Sequence, residues 1–277
     1  MKAREGKGFK VFSAAILLLM LVITLLPLLL MVMNSFKTRI QITTNPLALP
    51  EALNFDNYRN AWVQGSIARS SINSISLVIG TLVITLLVSC MAAYGLARKA
   101  VFGWKTISVY FLVCNTLPKQ LFIIPLFFIL QKAGLVNNLA AMMVIYSAIY
   151  TPFAIFLLKT YFEAIDQDIM NSAMIDGASN MQVFWRIVIP LVQPGLLTAA
   201  LIVGLWCWNE FLFSVTFLQN EEVTTLAVQF YSFTSRYTTE WGNMMAYAVL
   251  VTLPVIVFFV FLQRKFIDGM TAGGVKG

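Results

Sequence analysis

The chain has 277 residues, of which 59% are hydrophobic and only 11% are charged, and its formal net charge is +7. A soluble domain of this size exposes a large surface that needs polar cover, so it could not hide this much apolar side chain. The composition therefore excludes a soluble globular enzyme, a disordered tail and a nucleic-acid-binding module, and it indicates a chain surrounded mostly by lipid.

The sequence offers no motif for metal binding or catalysis. It contains no histidine, and its three cysteines lie in apolar runs without CxxC spacing. We interpret Cys90, Cys114 and Cys207 as packing residues. We therefore expect no metal site and no catalytic residue in this chain.

Six stretches of the sequence are long and apolar enough to cross a membrane, which takes roughly 20 residues as a helix. They predict an all-α integral membrane protein that forms a single domain over residues 1–277. Prolines inside several stretches predict bent helices around a cavity. The predicted spans are residues 9–33, 72–96, 106–130, 139–158, 196–218 and 244–262.

The basic residues predict the orientation of these spans. If the chain crosses the membrane six times, twelve basic residues fall on the side of the two termini and six fall on the other side. Basic residues accumulate in cytoplasmic loops. We therefore expect both termini to lie in the cytoplasm, together with the long polar segment 161–195 between the fourth and fifth spans.

This segment has the sequence features of two short helices joined by a tight turn. Asp166 and Asp168 favour a helix start. Gly177 can take the left-handed conformation that ends a helix, and Ser179 can cap a second helix. We predict a helical hairpin that leads into the fifth span.

The hairpin has two interpretations, an amphipathic element lying on lipid or an element docking into a protein groove. Lipid-bound helices usually carry Lys and Arg on their polar face. The first helix here carries Asp166, Asp168 and Asp176 and no basic residue. An acidic surface is repelled by an anionic leaflet, so the residues favour the protein groove.

The end of this segment, residues 171–195, resembles the EAA loop found in permease subunits of bacterial ABC importers. Asp176, Gly177 and Ala178 match the Asp-Gly-Ala core of that loop, and Ala173 matches its second Ala. Asn171 and Ser172 stand where the family has Glu and the first Ala, so no contact that rests on the Glu charge is expected.

Three further segments resemble the same permeases. Residues 208–218 (WNEFLFSVTFL) resemble the fifth span of sugar-importer permeases, and residues 116–130 (TLPKQLFIIPLFFIL) resemble the third. Residues 263–277 (QRKFIDGMTAGGVKG) resemble the C terminus of maltose-type, MalG-like permeases. The resemblance implies six transmembrane helices with a cytoplasmic coupling-helix hairpin between helices 4 and 5, in the bacterial inner membrane.

The resemblance also implies partners, because this chain has no GxxxxGK[ST] loop to bind ATP. They are a second homologous permease subunit, two ATPase subunits that bind ATP and magnesium, and an extracytoplasmic solute-binding protein. No cofactor is expected in this chain. The expected ATPase-coupling residues are Asn171, Ser172, Ala173, Asp176, Gly177, Ala178 and Ser179.

The C-terminal residues 271–277 are too polar and Gly-rich to form a helix by themselves. By the residues alone, they predict a frayed terminus. The resemblance implies instead that this tail reaches the ATPase interface. Its candidate contact residues are Gly273, Gly274 and Lys276.

Charged and aromatic residues in the third and fifth spans are candidates for the substrate pathway. Glu210 is the only acidic residue in any predicted span, and Lys119 is the one basic residue in the interior of a span. Charge inside a membrane is costly and points to function. Along one face of the predicted fifth span, Trp206, Asn209 and Phe213 accompany Glu210. A structural or gating pair between Glu210 and Lys119 is the alternative, and the resemblance leaves open that the partner permease holds most sugar contacts.

The resulting prediction is a transport subunit that imports a carbohydrate, with an oligosaccharide as the expected substrate. An ABC permease for another solute, such as a glycerol phosphate ester, is the alternative. A secondary transporter would need ion-coupling acids in the membrane, of which there is only one. A membrane enzyme would need paired carboxylates or an HExxH motif, and neither is present.

Overall fold

The computed structural model describes residues 7–236 and 240–274, and all regular secondary structure in these ranges is helical. It includes a 3₁₀-helix (Lys119–Phe122) and a π-helix (Phe184–Val188). The helices in chain order are α1 (Lys7–Ser35), α2 (Arg39–Thr44), α3 (Asp56–Gln64), α4 (Ile67–Ala97), α5 (Trp104–Cys114), α6 (Ile123–Lys132), α7 (Leu139–Glu163), α8 (Gln167–Ile175), α9 (Asn180–Val183), α10 (Ile189–Leu191), α11 (Gln193–Trp208), α12 (Leu212–Phe217), α13 (Leu226–Arg236) and α14 (Trp241–Gly274).

Three described helices are long and apolar enough to cross a membrane, and they are Val11–Ser35 within α1, all of α4 and all of α7. Two bent helix pairs raise the number to five if each pair is one span. In α14, the side chains are described continuously only over Trp241–Val257, an apolar stretch that is by itself shorter than a spanning helix. The predicted all-α membrane architecture is thus confirmed, and the count of six spans stays a prediction.

The third predicted span is not one continuous helix. α5 ends at Cys114, and the segment Lys119–Lys132 that follows is bent from α5 by 90°. Pro118 lies at the break, immediately before the 3₁₀-helix. Proline has no N–H to donate and disfavours helical geometry in the residue before it, which accounts for the interruption.

The fifth predicted span is also broken, so the prediction of one helix over residues 196–218 is wrong. α11 ends at Trp208 and α12 begins at Leu212. The Glu210 carboxylate accepts hydrogen bonds from the backbone N–H groups of Phe213 and Ser214. A side chain that takes over these donors competes with continuous helical hydrogen bonding.

The frayed terminus that the residues alone predict is wrong for residues 271–274, because α14 continues to Gly274, whereas the ATPase contact of the tail stays a prediction. Extending an existing helix costs far less than starting a new one, so a Gly-rich end can follow a long helix. Gly273 and Gly274 therefore lie at the end of α14, and Lys276 lies outside the described residues.

The chain divides into two compact units. The first comprises Met1–Ile67 and Gln229–Pro254. It contains a buried lysine, and nothing in the sequence predicts this burial. Lys37 is 1% exposed, and its Nζ donates to the carbonyl oxygens of Asn45 at 3.3 Å and Pro46 at 3.0 Å. Lys37 therefore ties the chain after α1 to the turn that follows α2.

The second unit comprises Ala68–Val228 and Val255–Gly277, and it contains two apolar cores. One core joins the ends of α4 and α7 to the segment α8–α11 through Ala93, Leu158, Met170 and Val183. The other core joins α4, α6, α7, α11 and α12 and contains Phe213 and Phe217. These cores position both candidate sites described below.

A pair of glycines in α11 tests the packing of the second unit. A Cβ atom on Gly195 would lie 2.6 Å from the Tyr161 ring, whereas one on Gly204 would meet Leu82 at an ordinary 3.6 Å. Overpacking costs about 1–3 kcal/mol. We expect Gly195→Ala to lower the melting temperature of the purified protein. Gly204→Ala is the matched control, because Ala in a helix interior gains about 0.5–1 kcal/mol over Gly, and it should leave the melting temperature unchanged or raise it.

Candidate functional site

The segment between α7 and α11 begins with a helix whose first turn is fixed by an acidic cap. Asp166 is the N-cap of α8, and its Oδ1 accepts the N–H of Asp168 at 3.0 Å. The second helix has a capping box, in which the Ser179 and Gln182 side chains accept each other's backbone N–H at 3.3 Å and 2.8 Å. Both caps are set by the local sequence.

The turn between the two helices is a Schellman motif centred on Gly177. Gly177 has φ 88° and donates its N–H to the Met174 carbonyl at 3.0 Å. The Ala178 N–H reaches the Ala173 carbonyl, also at 3.0 Å. This pair of bonds defines the motif, and its left-handed residue is best filled by glycine. The predicted helix end at Gly177 and helix start after Ser179 therefore agree with the structure.

Buried side chains fix this hairpin, residues 166–191, to the membrane helices of the second unit. Met170 and Val183 are almost fully buried against the ends of α4 and α7. The Tyr94 ring lies 5.0 Å from the Phe184 ring and 5.7 Å from the Phe162 ring. Close-packed contacts of this kind transmit displacement, because packed interiors are hardly compressible.

A polar contact lies beside this apolar attachment. Arg98, just after α4, donates a hydrogen bond to the Gln167 side chain at the start of α8. The same guanidinium lies 5.9 Å from the centroid of the Tyr94 ring. The hairpin is therefore held to α4 by both a hydrogen bond and aromatic packing.

The rest of the hairpin surface exposes apolar and acidic side chains together with the basic Arg186. Ile175 is 85% exposed, and Asp166, Asp168 and Asp176 are exposed as well. Among the expected coupling residues, five are exposed and two, Ala173 and Ala178, are half-buried. The other large apolar side chains exposed on the hairpin are Ile169, Met174, Met181, Trp185 and Leu191. This exposed surface is called the hairpin face below.

A second candidate site lies at the break between α11 and α12, where Glu210 is buried and fully engaged. Its Oε2 accepts the Tyr146 hydroxyl at 2.7 Å and the N–H groups of Phe213 and Ser214 at 3.0 Å and 3.2 Å. The Tyr146 hydroxyl also lies 2.7 Å from the Ser214 Oγ. Glu210 therefore caps α12 and joins it to α7.

Lys119 lies apart from Glu210, beside a different tyrosine of α7. Its Nζ is 3.5 Å from the Tyr150 hydroxyl and 5.2 Å from the centroid of the same ring. Trp206 packs against the same tyrosine and against Phe153. The distances between ring centroids are 5.7 Å to Tyr150 and 4.6 Å to Phe153. The structure thus brings Lys119 and Trp206 to one tyrosine, while Glu210 and Lys119 form no ion pair.

Lys119, Tyr150, Phe153 and Trp206 line a cavity of about 1030 Å³ within the second unit. It lies beside the break between α5 and α6, as the prolines in the predicted spans suggested. Its lining is mostly apolar, with Lys119, Asn115 and Gln120 among its polar members and Tyr150 and Trp206 among its aromatic ones. Small-molecule sites in proteins have this composition.

The predicted single face of the fifth span is therefore split. Trp206 lines the cavity and Asn209 is exposed, with its Nδ2 donating to the Leu205 carbonyl at 2.8 Å. Phe213 is fully buried in a core and is not available to a solute. From the sequence, Tyr146 and Tyr150 of the fourth predicted span rank as weaker candidates, with core packing favoured, whereas the structure places their hydroxyls against Glu210 and Lys119. The available signal was their position: they are the only tyrosines of the predicted span 139–158, and a spacing of four places them on one face of a helix.

Comparison with known families decides between the classes of membrane protein. The family described as "Binding-protein-dependent transport system inner membrane component" matches residues 85–271, which is well over half of the chain. The chain belongs to this family. It is accordingly an inner membrane component and a transport subunit, and the resemblance to ABC importer permeases is confirmed.

Curated relatives of the family align over nearly the whole chain. The diacetylchitobiose uptake system permease protein NgcG of Streptomyces coelicolor is 32% identical and covers 98% of this chain and 90% of its own length. The arabinooligosaccharides transport system permease protein AraQ of Bacillus subtilis is 32% identical and covers 99% of both chains. Both relatives are permeases of sugar transport systems, which agrees with the maltose-type resemblance.

A solved structure supports the fold. It is the crystal structure of a bacterial ABC transporter involved in the import of the acidic polysaccharide alginate, and one of its chains matches with a TM-score of 0.82. The match covers 96% of this chain and 99% of that chain at 22% identity. At this identity the match establishes the ABC permease fold and nothing finer.

Proposed function

We propose that this protein is a permease subunit of an ATP-driven importer that carries a carbohydrate, in particular an oligosaccharide, into the bacterial cytoplasm. Membership in the family supports the transport role. The substrate class rests on relatives named for diacetylchitobiose and for arabinooligosaccharides. Transport of another solute, such as a glycerol phosphate ester, is the alternative function.

The proposal includes six spans with both termini in the cytoplasm and the hairpin between the fourth and fifth. A second, homologous permease subunit completes the pathway, and an extracytoplasmic solute-binding protein delivers the sugar. Two separate ATPase subunits bind ATP and magnesium, because this chain has no phosphate-binding loop of the GxxxxGK[ST] type.

The observation that carries the proposal is the hairpin itself, which is exposed on one side and packed on the other. Its exposed face carries apolar side chains, three Asp residues and Arg186, a mixture that suits a groove on a partner protein. Its buried side is built into the core that joins α4, α7 and α11. A displacement of the hairpin by the ATPase subunits therefore moves these helices as a group.

In this mechanism the residues of the chain transmit motion and shape the pathway, and hydrolysis occurs on the partners. Closure of the ATPase pair pulls the hairpin, and the attached helices open the cavity to one side of the membrane and then to the other. Gly177 fixes the turn that presents the hairpin face, and residues 171–179 form the contact with the ATPase.

Reconstitution tests this proposal directly. The two permease subunits are placed in vesicles with the solute-binding protein, and uptake of a labelled oligosaccharide is measured with and without the ATPase subunits. We expect uptake only when ATPase subunits and ATP are both present. Uptake by the permeases alone, without nucleotide, would instead support a secondary transporter.

The C-terminal tail gives a separate prediction. Deleting residues 273–277 should lower ATP-dependent uptake, because the proposal places the tail at the ATPase interface. The measurement is initial uptake rate per amount of assembled complex in vesicles. Uptake equal to that of the full chain would identify the tail as a terminus without a role in coupling.

A further inference from the structure

The proposed transport cycle gives no role to the positive charge of Lys119. This residue lies just after Pro118, at the break in the bent pair that forms the third candidate span. Other lysines of the candidate spans, such as Lys105 and Lys132, lie at helix ends where they can reach the membrane surface. A cation within a span is costly and marks a functional site unless it is paired.

No described residue forms an ion pair with Lys119. Its contacts are the hydroxyl and the ring of Tyr150, which offer a long hydrogen bond of 3.5 Å and a cation–π contact. Glu210, which lies just after the end of α11, is occupied by Tyr146 and by two backbone N–H groups. The lining of the cavity contains no Asp or Glu, so Lys119 is the only formal charge along its described wall.

The neighbours of Lys119 in the cavity suit a sugar ring. Trp206 is 40% exposed and lines the cavity next to Tyr150, so part of its indole is available for stacking. The side-chain amides of Asn115 and Gln120, both exposed at the same cavity, can hydrogen-bond hydroxyl groups. A volume of about 1030 Å³ is enough for a small oligosaccharide.

We propose that this cavity is a subsite for an anionic saccharide, with Lys119 binding an acidic group such as a carboxylate and Trp206 stacking on the sugar ring. The inference rests on the proposed import of carbohydrate and names the class of substrate. A lipid phosphate shares the charge of such a group, but it has no sugar ring for Trp206 and few hydroxyls for the two amides. The saccharide therefore accounts for more of the lining.

The test measures binding of a matched pair of probes to the assembled importer in phosphatidylcholine nanodiscs. The acidic probe is digalacturonate, and the neutral probe is its dimethyl ester. We expect the acidic probe to bind about tenfold or more tightly than the ester, because a hydrogen bond to a charged group exceeds a neutral one by about 1.4 kcal/mol or more. Equal binding of the two probes, or no binding of the acidic probe, would overturn the inference.

Four variants locate the effect. Lys119→Met should abolish the preference while leaving the ester bound, and Lys119→Arg should retain the preference. Trp206→Ala should weaken both probes by a similar factor, because stacking does not depend on the acidic group. Lys132→Met removes a charge at the end of α6, away from the cavity lining, and should change neither affinity.

Two further results separate the explanations. If Lys119→Met still bound the acidic probe more tightly than the ester, the acidic group would lie elsewhere and the proposed subsite would be wrong. Loss of the acidic probe on adding phosphatidylglycerol would assign the cavity to a lipid headgroup. ATP-dependent uptake of a neutral oligosaccharide with no preference for acidic probes would overturn only this inference and leave the proposed import of carbohydrate intact.

Discussion

Replacing Gly177 with Asp is expected to lower ATP-driven uptake by about tenfold or more while the permease stays assembled in the membrane. A Cβ atom at Gly177 would meet nothing within 4 Å, so the chain itself has room for the new side chain. Asp is one of the few residues that tolerate the left-handed conformation, so the turn should persist at a cost of about 1 kcal/mol. The loss would arise because the added carboxylate occupies space and adds charge in the contact with the ATPase.

Gly134→Asp is the matched control for this substitution. Gly134 also has a positive φ, 66°, and open space around its Cβ position, but it follows α6 and lies outside the hairpin. Uptake, ATPase activity and recovery of the ATPase subunits on purification are measured for both variants. Equal uptake by Gly177→Asp and the unmodified importer, or an equal loss in Gly134→Asp, would contradict a coupling role for the turn.

Replacing Glu210 with Ala is expected to destabilise the permease strongly. The change leaves the N–H groups of Phe213 and Ser214 without their buried acceptor, and the Tyr146 hydroxyl keeps only the Ser214 Oγ as a partner. An unsatisfied buried donor costs about 1–3 kcal/mol, so the loss should reach about 3 kcal/mol. A lower melting temperature of the purified protein, with lower yield from the membrane, would report it.

Two substitutions calibrate the effect of Glu210→Ala. Glu210→Gln keeps a carbonyl oxygen as acceptor and should lose less stability than the Ala variant. Glu163→Ala removes a carboxylate that is 43% exposed and pairs with Lys159 at 2.8 Å. Because exposed ion pairs contribute at most about 1 kcal/mol to stability, this variant should lose little. If Glu210→Ala melted at the same temperature as Glu163→Ala, the capping role of Glu210 would be wrong.

The hairpin could be predicted from the sequence because its geometry is determined locally. Asp166, Gly177 and Ser179 act on residues within a few positions of themselves, as a cap or a left-handed turn requires. The three uninterrupted candidate spans could be predicted for a similar reason, since length and hydropathy describe a single segment.

The breaks in the other spans could not be predicted from hydropathy, which does not distinguish a continuous apolar helix from an interrupted one. The break after Trp208 depends on Glu210 accepting hydrogen bonds from α12 and from Tyr146, which lies 64 residues earlier in the chain. Helical spacing therefore placed Phe213 on the face of Trp206, whereas Phe213 is buried in a core. The burial of Lys37 likewise depends on carbonyl groups supplied by a later turn.

The substrate site could be predicted only as a set of unusual residues. Lys119, Glu210 and Trp206 were marked by their charge or size within the spans, but their partners were not. The structure separates them into a capping group around Glu210 and a cavity group around Lys119. This division depends on which helices meet, which a single sequence does not encode locally.

The central claim is that the hairpin face contacts an ATPase subunit, and a reporter at Ile175 tests it most directly. Ile175→Cys places a thiol at a side chain that is 85% exposed. Of the native cysteines, Cys90 and Cys207 are buried and Cys114 is half-buried, and the unmodified chain measures their background labelling. A photoactivatable crosslinker on this thiol, in the assembled importer, should capture an ATPase subunit with a yield that changes on adding ATP. Capture of lipid alone, unchanged by ATP, would contradict the account.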